Sequence, residues 1–207
     1  MDKTLQDNQM EQDFITAVSM EECLENKAYT NEKAAELKLF KAELDTVTLK
    51  NCRFTDCDFE KSSFLNVVWN TCDFSNCRFT DCYFKNIQFM DCKGDGANFS
   101  DSAFFNTAIE KGSYYYTNFS STLWNEFQIK DALFHHAFLS EIKIKKLSVS
   151  NVNFSGADFF KTMLKGVDVS SCNVEGITVS ENFAEIKGMK INAIQAVDLV
   201  QLLGVKL

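Results

Sequence analysis

Large apolar side chains recur at every fifth position along most of the chain. From Leu39 to Val179 this spacing selects 29 positions, and 28 of them carry a large apolar or aromatic residue. The exception is Gly94, and we expect the neighbouring rings of Phe74 and Tyr114 to lean into the gap that it leaves. The residue two places before each large one is mostly small or β-branched. The repeating unit is therefore small, polar, large, followed by two variable residues.

A period of five matches neither regular secondary structure, because a helix repeats every 3.6 residues and a strand every two. The period is explained if the chain turns a corner after each unit, so that four units close a square coil of twenty residues. The small and the large residue then both point inward, and successive coils pair as parallel strands. The pattern predicts an all-β fold, a parallel β-helix of about seven coils that are about 4.8 Å apart.

Segments such as NCRFTDCDFE, TCDFSNCRFT and GADFF carry a unit that resembles the A(D/N)LXX motif of the pentapeptide-repeat family, with phenylalanine often in place of leucine. The resemblance covers residues 37–191 and implies the fold of that family, a right-handed quadrilateral β-helix. Because one fold serves many functions, the resemblance does not indicate a function by itself.

The C-terminal end departs from the repeat, whose phase shifts by two residues after Val179. Asn192 suits a helix N-cap and Gly204 a C-cap, which predicts a capping helix in residues 192–207. This helix has more apolar surface than one lid face needs. We expect the remainder to form a homodimer interface, and the alternative is a monomer with a well-buried lid. The candidate dimer residues are Ile194, Val197, Val200, Leu203, Val205 and Leu207.

Residues 1–36 do not follow the period and are acidic. Met10, Phe14, Ile15 and Val18 have helical spacing, so we expect a helical cap over the first coil, whose strand edges would otherwise be unpaired. Whether residues 24–36 form a helix or an eroded coil stays open. The predicted division is an N-terminal cap segment (1–36), the β-helix (37–191) and the C-terminal helix with its dimerisation tail (192–207).

The charge of the chain argues against direct nucleic-acid binding. The net charge is −8, with 21 basic and 29 acidic residues, whereas a phosphate-binding surface needs clustered Lys and Arg. The stretch of Lys143, Lys145 and Lys146 is locally basic. The chain has no apolar run of the roughly 18–20 residues that span a bilayer and no signal peptide, so we expect a cytoplasmic protein with no membrane contact.

The eight cysteines suggest a metal site, but their spacing favours core packing. Seven of them occupy the small inward position, and the C-x₄-C spacing places neighbours on different sides of the square. Zinc needs convergent thiolates, so we expect no metal and no cofactor. A filled coil also leaves no cleft for catalysis, and we expect no enzyme.

One candidate surface patch follows from the twenty-residue coil. Tyr115 and Tyr116 precede His135 and His136 by twenty residues, so these outward side chains should stack, and Phe138 occupies a normally polar outward position nearby. Two interpretations are open, a partner-contact patch and a surface feature without a role. No nucleophile or third group accompanies the histidines, so the pattern does not indicate catalysis.

The block GMKINAIQAVDLVQLLGVKL resembles the C-terminal block of the Qnr-type quinolone-resistance proteins, through Gly188, Gln195, Ala196, Leu199, Leu203 and Gly204. The resemblance implies a dimer that protects DNA gyrase and topoisomerase IV by imitating duplex DNA. A DNA mimic should carry a dense negative field, yet residues 37–181 have 18 acids and 15 bases. The unbroken phase also leaves no room for the loop insertions of some Qnr-type proteins.

These observations favour a non-enzymatic rod that acts through surface contact with an unidentified protein partner. The alternative is a DNA-mimicking protein that binds a type II topoisomerase and protects against quinolones.

Overall fold

The computed structural model describes residues 8–202 and Gly204. Within them, two helices flank a stack of short strands. The helices are α1 (Gln9–Met20) and α2 (Ala193–Leu202). The strands are β1 (Cys23–Glu25), β2 (Ala28–Thr30), β3 (Lys33–Ala35), β4 (Glu43–Asp45), β5 (Thr48–Lys50), β6 (Arg53–Thr55), β7 (Ser63–Leu65), β8 (Val68–Asn70), β9 (Tyr83–Lys93), β10 (Ala103–Ser113), β11 (Leu123–Lys130), β12 (Lys143–Ile144) and β13 (Leu147–Ser150).

The strands pair in parallel with a constant offset of twenty residues. Phe64 of β7 aligns with Phe84 of β9, and Phe104 of β10 aligns with Trp124 of β11. One face of the rod stacks seven strands from successive coils, in the order β1-β4-β7-β9-β10-β11-β12. The predicted parallel β-helix, with four sides to each coil, is confirmed.

The large residue of each unit fills the interior of the rod. Phe59, Phe79, Phe99 and Phe119 form one column in which successive ring centroids are 4.9, 4.8 and 4.9 Å apart and ring planes differ by no more than 9°. This spacing equals the separation of paired strands, about 4.8 Å, so each ring stacks on the ring of the next coil. The period of five therefore reflects continuous columns of side chains.

The small inward position often carries a hydrogen-bond donor that a neighbouring coil satisfies. Ser102 Oγ donates to the carbonyl of Phe79 at 2.8 Å, and Cys82 Sγ donates to the carbonyl of Phe59 at 3.0 Å. Buried polar groups need such partners, and the thiols here act as serine-like core groups. The buried free cysteines are Cys52, Cys57, Cys72, Cys77, Cys82, Cys92 and Cys172.

The corners of the coils are residues in the left-handed backbone region. Asn and Asp are frequent there because their short polar side chains tolerate positive φ, as at Asn86 with φ 57° and Asn106 with φ 51°. The amides also form a ladder between coils. Asn106 Nδ2 donates to Asn86 Oδ1 at 2.9 Å, and Asn86 Nδ2 donates to Asn66 Oδ1 at 2.8 Å.

The first coil begins earlier than the predicted boundary at residue 37. β1, β2 and β3 lie before it and pair with β4, β5 and β6 of the next coil, so residues 24–36 are coil and not helix. Leu24, Tyr29 and Ala34 keep the phase of the large inward position and are buried. The pattern is incomplete there because Lys27 and Glu32 occupy the small inward position, below which the terminal coil has no further coil. Helix α1 covers this open end, with Met10 and Phe14 buried.

The final coil contains two extra residues, as the phase shift predicts. Asp168 pairs with Lys190, an offset of twenty-two instead of twenty. Glu185 is buried at this turn, where its carboxylate accepts hydrogen bonds from the Lys161 backbone N–H at 2.8 Å and from Ser180 Oγ at 2.7 Å. Burial raises the pKa of Glu185, but the hydrogen bonds outweigh it and the net pKa is lowered.

Helix α2 begins with a reciprocal cap that joins it to the last coil. Asn192 Oδ1 accepts from the N–H of Gln195 at 3.0 Å, and Gln195 Oε1 accepts from the N–H of Asn192 at 2.8 Å. The buried amide of Gln195 also donates to the carbonyls of Val169 and Cys172, both at 2.7 Å. Gly204 has φ 75° at the end of the helix, in agreement with its expected role as a C-cap.

Candidate contact surfaces

The structure brings the two tyrosines and the two histidines of the predicted patch together at one corner of the rod. The rings of Tyr116 and His136 stack with centroids 5.2 Å apart and planes 14° apart, and those of Tyr115 and His135 meet edge to face at 5.6 Å. The two imidazoles stack on each other at 4.2 Å. Four aromatic rings therefore form one continuous surface across two coils.

His135 is held in place by a residue that the sequence pattern did not single out. Its Nδ1 lies 2.7 Å from the carbonyl oxygen of Ser155 and 2.8 Å from Ser155 Oγ. Because a carbonyl only accepts, Nδ1 carries the proton, and the Ser155 hydroxyl donates to Asn153 Oδ1 at 2.7 Å. This arrangement orients the imidazole and does not activate the serine as a nucleophile. The signal that could have found Ser155 is its twenty-residue spacing from His135.

The backbone under the rings is held in a less favourable conformation. Tyr116 and His136 have φ of 56° and 53°, a region that bulky residues rarely adopt and that costs about 1–3 kcal/mol for a non-glycine residue. The next corner residue in this column is Gly156, and a Cβ there would lie 2.3 Å from His136 Nδ1. The imidazole therefore rests on bare glycine backbone, and a larger residue at position 156 would displace it.

Apolar side chains extend the ring cluster onto the two adjoining faces. Phe138 is 46% exposed, Leu133 is 39% exposed, and Tyr116 itself is 57% exposed. We call Tyr115, Tyr116, His135, His136 and Phe138 the aromatic patch. Exposed aromatic residues that adjoin one another are typical of protein contact surfaces.

The predicted dimer face lies on α2 and is apolar and exposed. Ile194 is 78% exposed and Val197 is 47% exposed, whereas Val200 is half-buried. Leu199 and Leu202 pack on the core, so the helix has one side against the last coil and another open to solvent. The further candidates Leu203, Val205 and Leu207 lie outside the described residues.

Opposite charges alternate between coils along the surface of the rod. Lys130 Nζ lies 3.5 Å from Glu110, Lys146 Nζ lies 3.2 Å from Glu126, and Lys161 Nζ lies 3.0 Å from Glu141. Such exposed pairs contribute only about 0–1 kcal/mol each. Their effect on the field is larger, since each lysine offsets the charge of the acid on the preceding coil.

The described residues contain no cluster of three or more His, Cys, Asp or Glu side chains arranged to hold a metal ion. Burial raises the pKa of the Cys82 thiol to about 12, which keeps this side chain protonated and unreactive. No described helix is both long and apolar enough to cross a membrane.

Two family models match adjoining parts of the coil. "Pentapeptide repeat region" matches residues 62–139, and "Pentapeptide repeats (8 copies)" matches residues 139–176. The chain belongs to the pentapeptide-repeat family. No curated protein sequence matches it.

Several solved structures resemble this pentapeptide-repeat protein at low sequence identity. Trypsin-treated QnrB1, a plasmid-mediated fluoroquinolone resistance protein, is 18% identical over 89% of this chain and 98% of its own, with a TM-score of 0.48. HetL, a pentapeptide repeat protein involved in heterocyst differentiation regulation from Nostoc sp. strain PCC 7120, is 12% identical over 80% and 85%, with a TM-score of 0.34. Rfr23 from Cyanothece 51142 is 10% identical over 87% and 99%, with a TM-score of 0.24.

Proposed function

We propose that this pentapeptide-repeat protein is a non-enzymatic rod that works by surface contact with another protein, and that the aromatic patch is a contact surface. The observation that carries the proposal is the stack of Tyr116 on His136, held at two corners in the left-handed backbone region. Elsewhere these corners are often occupied by Asn or Asp, which adopt the conformation at less cost. Aromatic rings at such positions add nothing to the core and expose apolar area.

Two residues of the patch, His135 and Tyr115, are held by hydrogen bonds to neighbouring coils. His135 is fixed by Ser155, and the backbone N–H of Tyr115 donates to Asp95 Oδ1 at 2.9 Å. Side chains that are already immobile lose little conformational entropy on binding, and rigid aromatic residues often supply much of the affinity of an interface. These features support a partner-contact role over a surface feature without one.

Affinity capture from the source cells, quantified by mass spectrometry, tests the proposal. In Tyr116→Asn/His136→Asn both rings are lost, while Asn suits the left-handed corners and preserves the fold. Phe40→Asn is the matched control, because it removes an aromatic residue of 45% exposure that lies several coils away from the patch. We expect a partner that the wild type and the control capture and that the double variant loses. Equal recovery by all three proteins would eliminate the patch as a contact surface.

We further propose that the protein is a homodimer joined through α2. The exposed Ile194 and Val197 continue an apolar surface on a helix whose other side is already packed. A second copy of the same face would cover both in a two-fold interface. The dimer leaves the aromatic patch free, since that patch lies two coils or more from α2.

A second candidate function is protection of a type II topoisomerase from quinolones by DNA mimicry. Its support is the C-terminal block of this chain, which resembles that of the Qnr-type proteins. Within this block, Gln195 and Leu199 attach α2 to the last coil. The alternating charges along the rod weigh against it, because a DNA mimic needs a continuous acidic strip. Gyrase supercoiling with and without a fluoroquinolone decides the matter. Neither inhibition nor rescue at micromolar protein would remove this candidate.

A further inference from the structure

Three lysines repeat on successive coils at the C-terminal end of the rod. Lys145 and Lys165 are twenty residues apart. Lys187 immediately precedes Gly188, and a Cβ at Gly188 would lie 3.2 Å from Lys165 Cγ. All three side chains are exposed. No other column in the described coils carries like charges on three successive coils. We call Lys145, Lys165 and Lys187 the lysine column.

The lysine column departs from the charge pattern of its surroundings. The adjacent Lys146 and Lys161 are paired with acids, whereas none of the three column lysines forms an ion pair within the described residues. Like charges on neighbouring coils that no acid neutralises repel each other and disfavour the compact state. An anionic ligand that pairs with these lysines would remove the repulsion between them, so the unpaired charges indicate a binding surface for an anion.

The coil beside the lysine column is irregular and exposes apolar side chains. β12 ends at Ile144 and β13 begins at Leu147, and the corner residue Lys146 lacks the positive φ of the corresponding corners in the coils before it. Ile144 and Leu147 are only half-buried and line a narrow crevice with Trp124. Met163, on the next coil, is 48% exposed. Positive charge and accessible apolar surface thus lie side by side.

We propose that the lysine column and the adjoining crevice form a docking surface for an acidic segment of another protein, one that carries carboxylates and an apolar side chain. The carboxylates would pair with Lys145, Lys165 and Lys187, and the apolar side chain would cover Ile144 and Leu147. Charge complementarity supplies the electrostatic part of recognition, and the apolar contact distinguishes this ligand from a bare polyanion.

The composition of the surface favours a protein over a nucleic acid. The surface contains no arginine, whose planar guanidinium suits phosphate, and no exposed aromatic ring on which a base could stack. Ten residues, half a coil, separate His135 from Lys145, so this surface and the aromatic patch face opposite sides of the rod. The two proposals therefore stand or fall separately.

Binding of a labelled peptide to the full-length protein tests the proposal. The probe is a fluorescent peptide of alternating glutamate and leucine, measured by anisotropy at about 0.15 M ionic strength, with oligothymidylate of equal charge for comparison. The triple variant Lys145→Gln/Lys165→Gln/Lys187→Gln should bind the peptide about tenfold or more weakly than the wild type. The matched control, Lys38→Gln/Lys50→Gln/Lys111→Gln, removes the same charge elsewhere and should bind like the wild type.

A stability measurement checks the repulsion independently. In Lys165→Glu a carboxylate faces Lys145 and Lys187, so the melting temperature should rise while peptide binding falls. The proposal is overturned if the wild type does not bind the peptide, if oligothymidylate binds more tightly than the peptide, or if both triple variants bind equally. It is also overturned if Lys165→Glu lowers the melting temperature.

Discussion

The rings of Phe74 and Tyr114 meet across Gly94, with their centroids 6.4 Å apart although the two residues belong to coils that are not adjacent. A Cβ on Gly94 would lie 2.6 Å from Phe74 Cε2 and 3.1 Å from Tyr114 Cδ1. Coils two steps apart are separated by about 9.6 Å, twice the strand spacing, so both rings lean into the space that a side chain would otherwise fill. The expectation that these two rings lean into the gap at Gly94 is confirmed.

Replacing Gly94 by alanine should destabilise the protein by about 1–3 kcal/mol, the usual cost of overpacking a core. The added methyl group forces Phe74 or Tyr114 away from its present position. Urea unfolding followed by circular dichroism measures the loss. The double variant Gly94→Ala/Phe74→Leu, which makes room for the methyl group, should lose less than the two single changes together. Full additivity would contradict a direct contact.

The inward position of Cys82 should accept serine but not leucine. Cys82 lies in one column with Ser62 and Ser102, which occupy the same site in the adjacent coils, and a serine hydroxyl can donate to the Phe59 carbonyl as the thiol does. We expect Cys82→Ser to change the free energy of unfolding by less than about 1 kcal/mol and Cys82→Leu to cost about 1–3 kcal/mol or more. A large loss in the serine variant would show that the thiol has a role beyond packing.

Gln195 should be the residue that holds the C-terminal helix on the rod. Gln195→Met removes the donor to the carbonyls of Val169 and Cys172 and leaves both buried acceptors without it, which costs about 1–3 kcal/mol. Hydrogen exchange of the α2 amides should accelerate. Gln201→Met on the exposed side of the same helix is the control and should change little.

Attachment of the N-terminal helix should weaken at acid pH through Asp13. Partial burial raises the pKa of Asp13, but hydrogen bonds from Tyr29, Lys27 and Gln9 outweigh this, and the net pKa lies below its ordinary value of 3.8. The stabilisation is therefore complete above about pH 4, where the unfolded chain is also ionised, and is lost as the pH falls through the folded pKa. Asp13→Asn should remove this part of the pH dependence of unfolding, and an unchanged profile would contradict it.

If the protein dimerises through α2, charged residues on the exposed side of this helix should disrupt the dimer. Ile194→Asp/Val197→Asp places two carboxylates on exposed positions, so the fold should survive while light scattering reports a monomer. Ile15→Asp changes an exposed apolar residue of α1 and should leave a dimer. A wild-type monomer, or a dimer that both variants retain, would refute the interface.

The repeat could be predicted from the sequence because each coil repeats the same physical requirement. Twenty-residue columns fix the neighbours of every inward side chain, and the same spacing is enough to predict that Tyr115 lies beside His135. It also places Ser155 beside His135, a contact that becomes visible only when the column is followed one coil further.

The ends were harder to predict because a terminal coil packs against another coil on one side only, so its inward positions need not be small or apolar. In the first coil Lys27 and Glu32 stand where a small inward residue is expected, so only half of the repeating unit is kept. The large residues Leu24 and Tyr29 remain in phase. At the other end, the buried Glu185 depends on two extra residues that bring the Lys161 N–H and the Ser180 hydroxyl to one carboxylate. The repeat pattern of the sequence does not predict these hydrogen bonds to a single buried carboxylate.

The phenylalanine columns also make the rod unequal along its length. In the column that begins at Phe59, rings stack without interruption through Phe119. After Phe159 the large inward positions hold Leu164, Val169 and Val174, and before Phe54 they hold Leu39, Leu44 and Leu49. Each coil contacts only its two neighbouring coils, so the stability of each part of the rod depends on the side chains that fill its own coils. A molecule pulled from both termini should unfold from its two aliphatic ends towards the phenylalanine-rich middle, which should unfold last.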